Sequence, residues 1–166
     1  MGVYSINYFV LYHFFTIAEY ALITLLLRDG INVVFIRKIM GYSIIFFTGV
    51  SLFISLFVQE FEQFPTISNS IEGLLVITWC MLALWLIDAD YETSIFQQPV
   101  FWFIISFLIY FAGTISFNAI YNYLLKDKTE TARKLFSIIN SVCNYLLYSL
   151  LIIGISRNKW KKSSLP

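Results

Sequence analysis

Apolar side chains run through this sequence in long blocks parted by short polar connections, and no block alternates with a period of two. A helix needs about 20 residues to cross about 30 Å of hydrocarbon at about 1.5 Å per residue. Five blocks meet or approach that length: 9–27, 39–58, 73–87, 100–125 and 135–155. The third is short, and the turn from Asn69 to Glu72 extends it to a marginal crossing at 70–87. Continuous apolar runs exclude the ten-residue alternating strands of an outer-membrane barrel. Helices remain, because each satisfies its backbone amides within one segment. The prediction is therefore an all-α, polytopic transmembrane bundle over 1–156, followed by a short basic cytoplasmic tail at 157–166.

Polar residues inside the blocks fall at helical spacing. In the first, Tyr12, Thr16 and Glu19 recur at four and three residues and paint one stripe. Glu19 lies near mid-bilayer, where a carboxylate costs about 2.5–3.5 kcal/mol on insertion scales and needs a partner or a proton. His13 is six residues from Glu19, about 120° around the axis, so the two need not meet. The second block carries Thr48, Ser51 and Ser55. Ser106, Tyr110, Gly113 and Phe117 mark the fourth, with Thr114 and Asn118 adjoining. The fifth carries Ser137, Asn140 or Ser141, Asn144 and Tyr148. Small residues and interhelical hydrogen bonds join helices in lipid, so these stripes predict bundle seams. A seam that also lines a ligand pocket or polar path would use Tyr12, His13, Thr16, Glu19, Asn118, Asn140, Asn144 and Tyr148. Asn69 and Glu72, three residues apart, have the spacing of a capping box at the start of the third helix. Pro99 stands where a first helical turn tolerates proline.

Composition agrees with a lipid setting. Of 166 residues 59% are apolar and 13% charged, far from the usual soluble balance. A net charge of +1 offers no electrostatic footprint for phosphate, so nucleic acid is excluded as a partner. Basic residues near the span ends orient the chain. Arg28, Arg37 and Lys38 follow the first span, and Arg157, Lys159, Lys161 and Lys162 follow the last. With these in the cytoplasm the tally is seven inside against four outside, Lys126, Lys128, Arg133 and Lys134, which predicts N-out and C-in. Arg37, Lys38, Arg157, Lys159, Trp160, Lys161 and Lys162 then become membrane-interface anchors. Asp88, Asp90 and Glu92 form a solvated acidic connection. The N-terminal segment has neither a basic residue before the first apolar block nor a small-residue cleavage site, which predicts no removable signal peptide.

Catalytic and metal chemistry find little support. One His precludes the paired histidines of a zinc peptidase helix, no glycine-flanked serine resembles a nucleophile elbow, and the scattered glycines make no phosphate loop. Cys80 and Cys143 lack a second Cys or His at ligand spacing and read as small buried residues, so neither a disulfide, a metal nor a cofactor is expected.

Four strings, taken in order, carry a resemblance: LYHFFTIAEY at Leu11 to Tyr20, IEGLLVITWCML at Ile71 to Leu82, PVFWFIISFLIYFAGTISF at Pro99 to Phe117, and INSVCNYLLYSLLIIGI at Ile139 to Ile155. Together they resemble a family of small bacterial polytopic membrane proteins, usually seven-helical, that look like the membrane-embedded sensory halves of signalling proteins. The resemblance implies a membrane protein and no assigned activity; the leading expectation is a non-enzymatic, receptor-like or interaction module of the bacterial inner membrane. The resemblance also implies two further helices before the Tyr-His string, which this chain lacks, leaving one flank for a homodimer mate or signalling partner to cover. A small oligomeric transport or channel subunit built on the Glu19 stripe is the rival expectation. Against it, no span interior is read as holding a second acidic group, and proline breaks no span.

Overall fold

The computed structural model describes residues 8–58, 64–87, 94–127 and 129–163. Among them it is all-helical: α1 (Tyr8–Asp29), α2 (Val34–Phe57), α3 (Thr66–Leu86), a 3-10 turn (Ile95–Gln97), α4 (Pro99–Asp127) and α5 (Thr129–Ser163). All five α-helices are long and apolar enough to cross a membrane, and the chain is an integral membrane protein by that measure. Asp88, Asp90, Glu92 and Lys128 lie outside the described residues, as do the side chains of Lys126, Lys159, Trp160, Lys161 and Lys162.

Helix boundaries depart from the apolar blocks wherever charged or hydroxyl residues continue a helix past its apolar stretch. α2 begins at Val34, ahead of Arg37 and Lys38, so these two stand exposed in its first turns. Lipid rejects the charges, but the helix does not. Most of the Lys126 to Lys134 connection is helical as well: α4 runs to Asp127 and α5 starts at Thr129, with Glu130, Arg133 and Lys134 inside it. α5 has 35 residues, about 52 Å at 1.5 Å per residue, and carries the basic segment after Arg157 on a helical backbone as far as Ser163 rather than as a separate tail. Pro99 does open α4, at the position where its missing N–H goes unneeded.

The largest correction concerns α3. It starts at Thr66 behind Pro65, and its first bond is Asn69 N–H to the Pro65 carbonyl at 2.9 Å. Asn69 and Glu72 therefore sit inside the helix and cap nothing. Glu72 is 3% exposed, and its Oε1 has no hydrogen-bond partner.

Two kinds of contact hold the bundle. Directed side-chain chains stitch α1, α2 and α3. Trp79 Nε1 donates to the Tyr20 hydroxyl at 3.1 Å, Tyr20 pairs with Ser43 Oγ at 2.9 Å, and Ser43 donates to the Met40 carbonyl at 2.7 Å. Each hydroxyl has one proton, so with Ser43 donating to Met40 the Tyr20 proton goes to Ser43. The same logic orders a second chain, in which His13 Nδ1 lies 2.7 Å from Ser55 Oγ and Ser55 donates to the Ser51 carbonyl at 2.9 Å. With that proton committed, Nδ1 of His13 is the donor. Around these chains Tyr20, Leu27, Met40, Phe47, Val76, Cys80 and Ile104 form the main buried core.

The α4–α5 hairpin is held differently. Thr114 and Asn144 turn back on their own helices, to the carbonyls of Tyr110 at 2.9 Å and Asn140 at 2.8 Å, and Ser106 to Phe103 at 2.7 Å. Thr48 of α2 does likewise, to Ile44 at 2.8 Å. The polar stripes of α4 and α5 are thus not lines of interhelical hydrogen bonds, and Ser137 and Ser141 are exposed. Every described interhelical hydrogen bond joins α1, α2 and α3. Close approach replaces them along α4 and α5, because Gly113 lies under Cys143 Sγ and Gly154 against Phe103 and Trp102. Lipid tails give helices no hydrophobic drive to associate, so such small-residue contacts carry the packing.

Candidate functional site

α1 and α5 face one another across a cavity of about 540 Å³ whose other walls come from α3 and α4. Its position follows from the topology. The start of α1, the start of α3, the end of α4 and the start of α5 share one end of the bundle, and the cavity extends from there toward mid-helix. Phe64, Phe117 and Phe136 stack at that end, with centroids 5.6 Å apart for Phe64–Phe136 and 5.9 Å for Phe117–Phe136. Tyr121 closes the cluster, 5.0 Å from Phe64 and 4.9 Å from Phe136.

Period 3.6 brings the α1 stripe onto one wall, where Tyr12, Thr16 and Glu19 all line the cavity. Thr16 Oγ1 lies 2.9 Å from the Tyr12 carbonyl and 2.7 Å from Asn69 Oδ1. Its single proton serves only one of them, so this is a polar crossing between α1 and α3 rather than two full bonds. Opposite stand Asn140, Asn144 and Tyr148 of α5, and Tyr110, Thr114 and Asn118 of α4 fill the wall between. The residues singled out from spacing are therefore gathered here, apart from His13. That side chain is 2% exposed and turned to Ser55 of α2, as its angular offset from Glu19 requires.

Sequence reasoning missed three parts of the site. The apolar walls, Phe15, Phe64, Phe136 and Leu147 among them, look like any other membrane residues in a run of phenylalanines. Asn69 was assigned to a cap. Glu72 was assigned there too, yet it lies within electrostatic reach of Glu19 and Tyr110, both on the cavity wall. The signal for both was Pro65: proline favours helix starts, and a start there puts Asn69 and Glu72 on one inward face at i and i+3.

The cavity is accessible from the side. Tyr12, Phe15 and Tyr148 line it and are nonetheless 43%, 59% and 60% exposed, because α1 and α5 have no extensive contact with each other. A molecule could enter through that gap. A shallower hollow of about 360 Å³ lies at the other end of the bundle, over Arg28, Arg37, Lys38 and Tyr42. Asp29 is 4.0 Å from both Arg28 Nε and Arg37 Nη2, exposed pairs that contribute little stability. Three cations beside Tyr42 have the chemistry of an interfacial headgroup contact.

Cys80 and Cys143 are free and buried, and no group of His, Cys, Asp and Glu among the described residues has metal-binding geometry. Searched against known proteins, the chain matches no family model, no curated protein and no solved structure.

Proposed function

We propose that this protein is a non-enzymatic, receptor-like module of the bacterial inner membrane. It takes a small molecule into the cavity between α1 and α5 and communicates occupancy to a partner, either a second copy or a signalling protein. One observation carries the reading. Side chains able to hydrogen-bond converge from four helices on a space of about 540 Å³, within the range of about 300–1,000 Å³ typical of ligand pockets. Such groups are costly in lipid, and seam packing alone does not call for an empty volume between them. A partner that reads the occupancy is part of the proposal.

Native mass spectrometry of protein extracted from membranes tests it. The wild type should retain a small-molecule adduct, and Asn144→Phe, which pushes a ring from the α5 wall into the cavity, should weaken or lose it. An adduct that persists unchanged in Asn144→Phe, or no adduct in the wild type, overturns the reading. Transport is the second reading, and Glu72 favours it, since the inward-facing acid pair of Glu19 and Glu72 supplies the second carboxyl that a proton- or cation-coupled path uses. Flux of the retained compound into proteoliposomes would decide for transport over sensing.

The proposed orientation is N-out and C-in, which places the cavity in the outer leaflet half, and the Arg28, Arg37 and Lys38 hollow against the cytoplasmic leaflet, whose anionic lipids suit it. A phosphatase reporter inserted at residue 128 should be active and one fused after residue 163 inactive. The opposite pattern inverts the assignment.

A further inference from the structure

We infer that the cavity is built for a lipophilic amine in its protonated form, an inference that rests on the ligand-binding reading above. The cavity's described lining contains one acid, Glu19, and no Lys, Arg or His. Glu19 has no hydrogen bond or ion pair among the described residues. Glu72 is almost fully buried with Oε1 unpartnered, and no Lys or Arg among the described residues pairs with either carboxyl. Glu19 thus offers the cavity a carboxyl with no cation among the described residues beside it, and an arriving ammonium would complete it through a charge-assisted hydrogen bond.

The remaining lining selects which cation. A bare metal ion needs several oxygen ligands at about 2–2.6 Å, and a cavity of about 540 Å³ is far too large to supply them. Aromatic side chains supply seven of the seventeen lining residues, Phe15, Tyr110, Phe117 and Tyr148 among them. Aromatic faces attract an ammonium through the ring quadrupole and accept an apolar body equally well. Two polar neighbours offer acceptors: Thr114 Oγ1, whose proton is directed to the Tyr110 carbonyl, and Asn144 Oδ1, whose amide nitrogen donates to the Asn140 carbonyl. Such lone pairs suit N–H donors, which a protonated primary or secondary amine has and a quaternary ammonium lacks. The lateral gap beside Phe15 and Tyr148 admits a compound that partitions into lipid first.

Three probes of similar shape test the inference on the full chain in phosphatidylcholine nanodiscs: phenylbutylamine, phenylbutanol and phenylbutyrate, titrated calorimetrically against empty discs. The amine should bind about tenfold or more tighter than the alcohol, and the carboxylate least. Glu19→Gln should remove that advantage, again about tenfold, while leaving the alcohol unchanged. The probe comparison on the wild type needs no variant, so a Glu19→Gln protein that fails to fold does not shelter the idea. An amine that binds no better than the alcohol, or does not bind, overturns it. Alcohol binding that Asn144→Phe abolishes would then show that the cavity still holds ligands, whereas binding of every probe indifferent to Asn144→Phe would sink the cavity reading itself.

Discussion

Glu72→Met should make the detergent-solubilised protein more stable, by about 1–3 kcal/mol, the typical cost of a buried polar group lacking its partner. The carboxyl sits one-third of the way along α3 at 3% exposure with Oε1 unpartnered. Protonated or ionised, it forgoes at least one hydrogen bond that water would have made. Methionine is close in length, unbranched and adaptable, so it fills the same space without polar atoms. Replacing buried ionisable groups by apolar residues of similar volume is commonly neutral or stabilising. A thermal or denaturant melt of wild type and variant, side by side, gives the sign. A variant that melts earlier would mean that Glu72 has a stabilising partner in the folded protein, and its interpretation as an acid kept for function would fail. The same variant should weaken amine binding, since it removes half of the acid pair; stability and binding moving in opposite directions is the mark of a residue retained for a task.

Gly154→Leu should have the opposite and comparable effect. A Cβ at Gly154 would fall 2.9 Å from Phe103 Cε1 and 3.1 Å from Trp102 Cβ. The Phe103 ring can tilt, but Trp102 Cβ is fixed to the α4 backbone, so the helices must part. Overpacking of this kind costs about 1–3 kcal/mol, and α5 rests chiefly on α4, with no described interhelical hydrogen bond to keep it in place. Gly49 is the internal control: nothing lies within 4 Å of its Cβ position. Gly49→Leu on the outer face of α2 should therefore be neutral, or stabilising by up to about 1 kcal/mol through better helix propensity. Equal losses at Gly154 and Gly49 in a melt would show that the α4–α5 seam does not depend on close approach.

The helical class and the count of spans were legible because hydrocarbon imposes a simple demand, length without charge, that this chain meets five times. The α1 wall of the cavity was legible for a similar reason. Tyr12, Thr16 and Glu19 share a face by 3.6-residue periodicity alone, and the same arithmetic turned His13 away toward Ser55. Boundaries were harder, since hydropathy reports where lipid ends and not where a helix ends. Thr66, Ser68 and Ser70 are polar yet helical, with Ser70 donating to the Thr66 carbonyl at 2.7 Å, so the true start of α3 was hidden and Glu72 mistaken for a cap. The reach of α4 to Asp127 and the start of α5 at Thr129 were hidden by the charges around them. Hydroxyl stripes misled in another way. A serine or threonine in lipid can bond its own preceding turn as readily as a neighbouring helix, and in Thr48, Ser106 and Thr114 it does. Spacing along one helix cannot tell these outcomes apart, because the second helix decides.

The uneven distribution of hydrogen bonds gives the bundle an uneven stiffness. α1, α2 and α3 are riveted by the Trp79–Tyr20–Ser43 and His13–Ser55 chains, while the hairpin of α4 and α5 leans on them through dispersion contacts, which weaken smoothly with distance instead of breaking. A molecule wedging itself between α1 and α5 therefore works against the compliant direction, and the displaced element is a single uninterrupted rod of 35 residues. Swung from its start at Thr129, such a rod magnifies a modest splay beside Asn144 into a wider sweep at its far, positively charged tip.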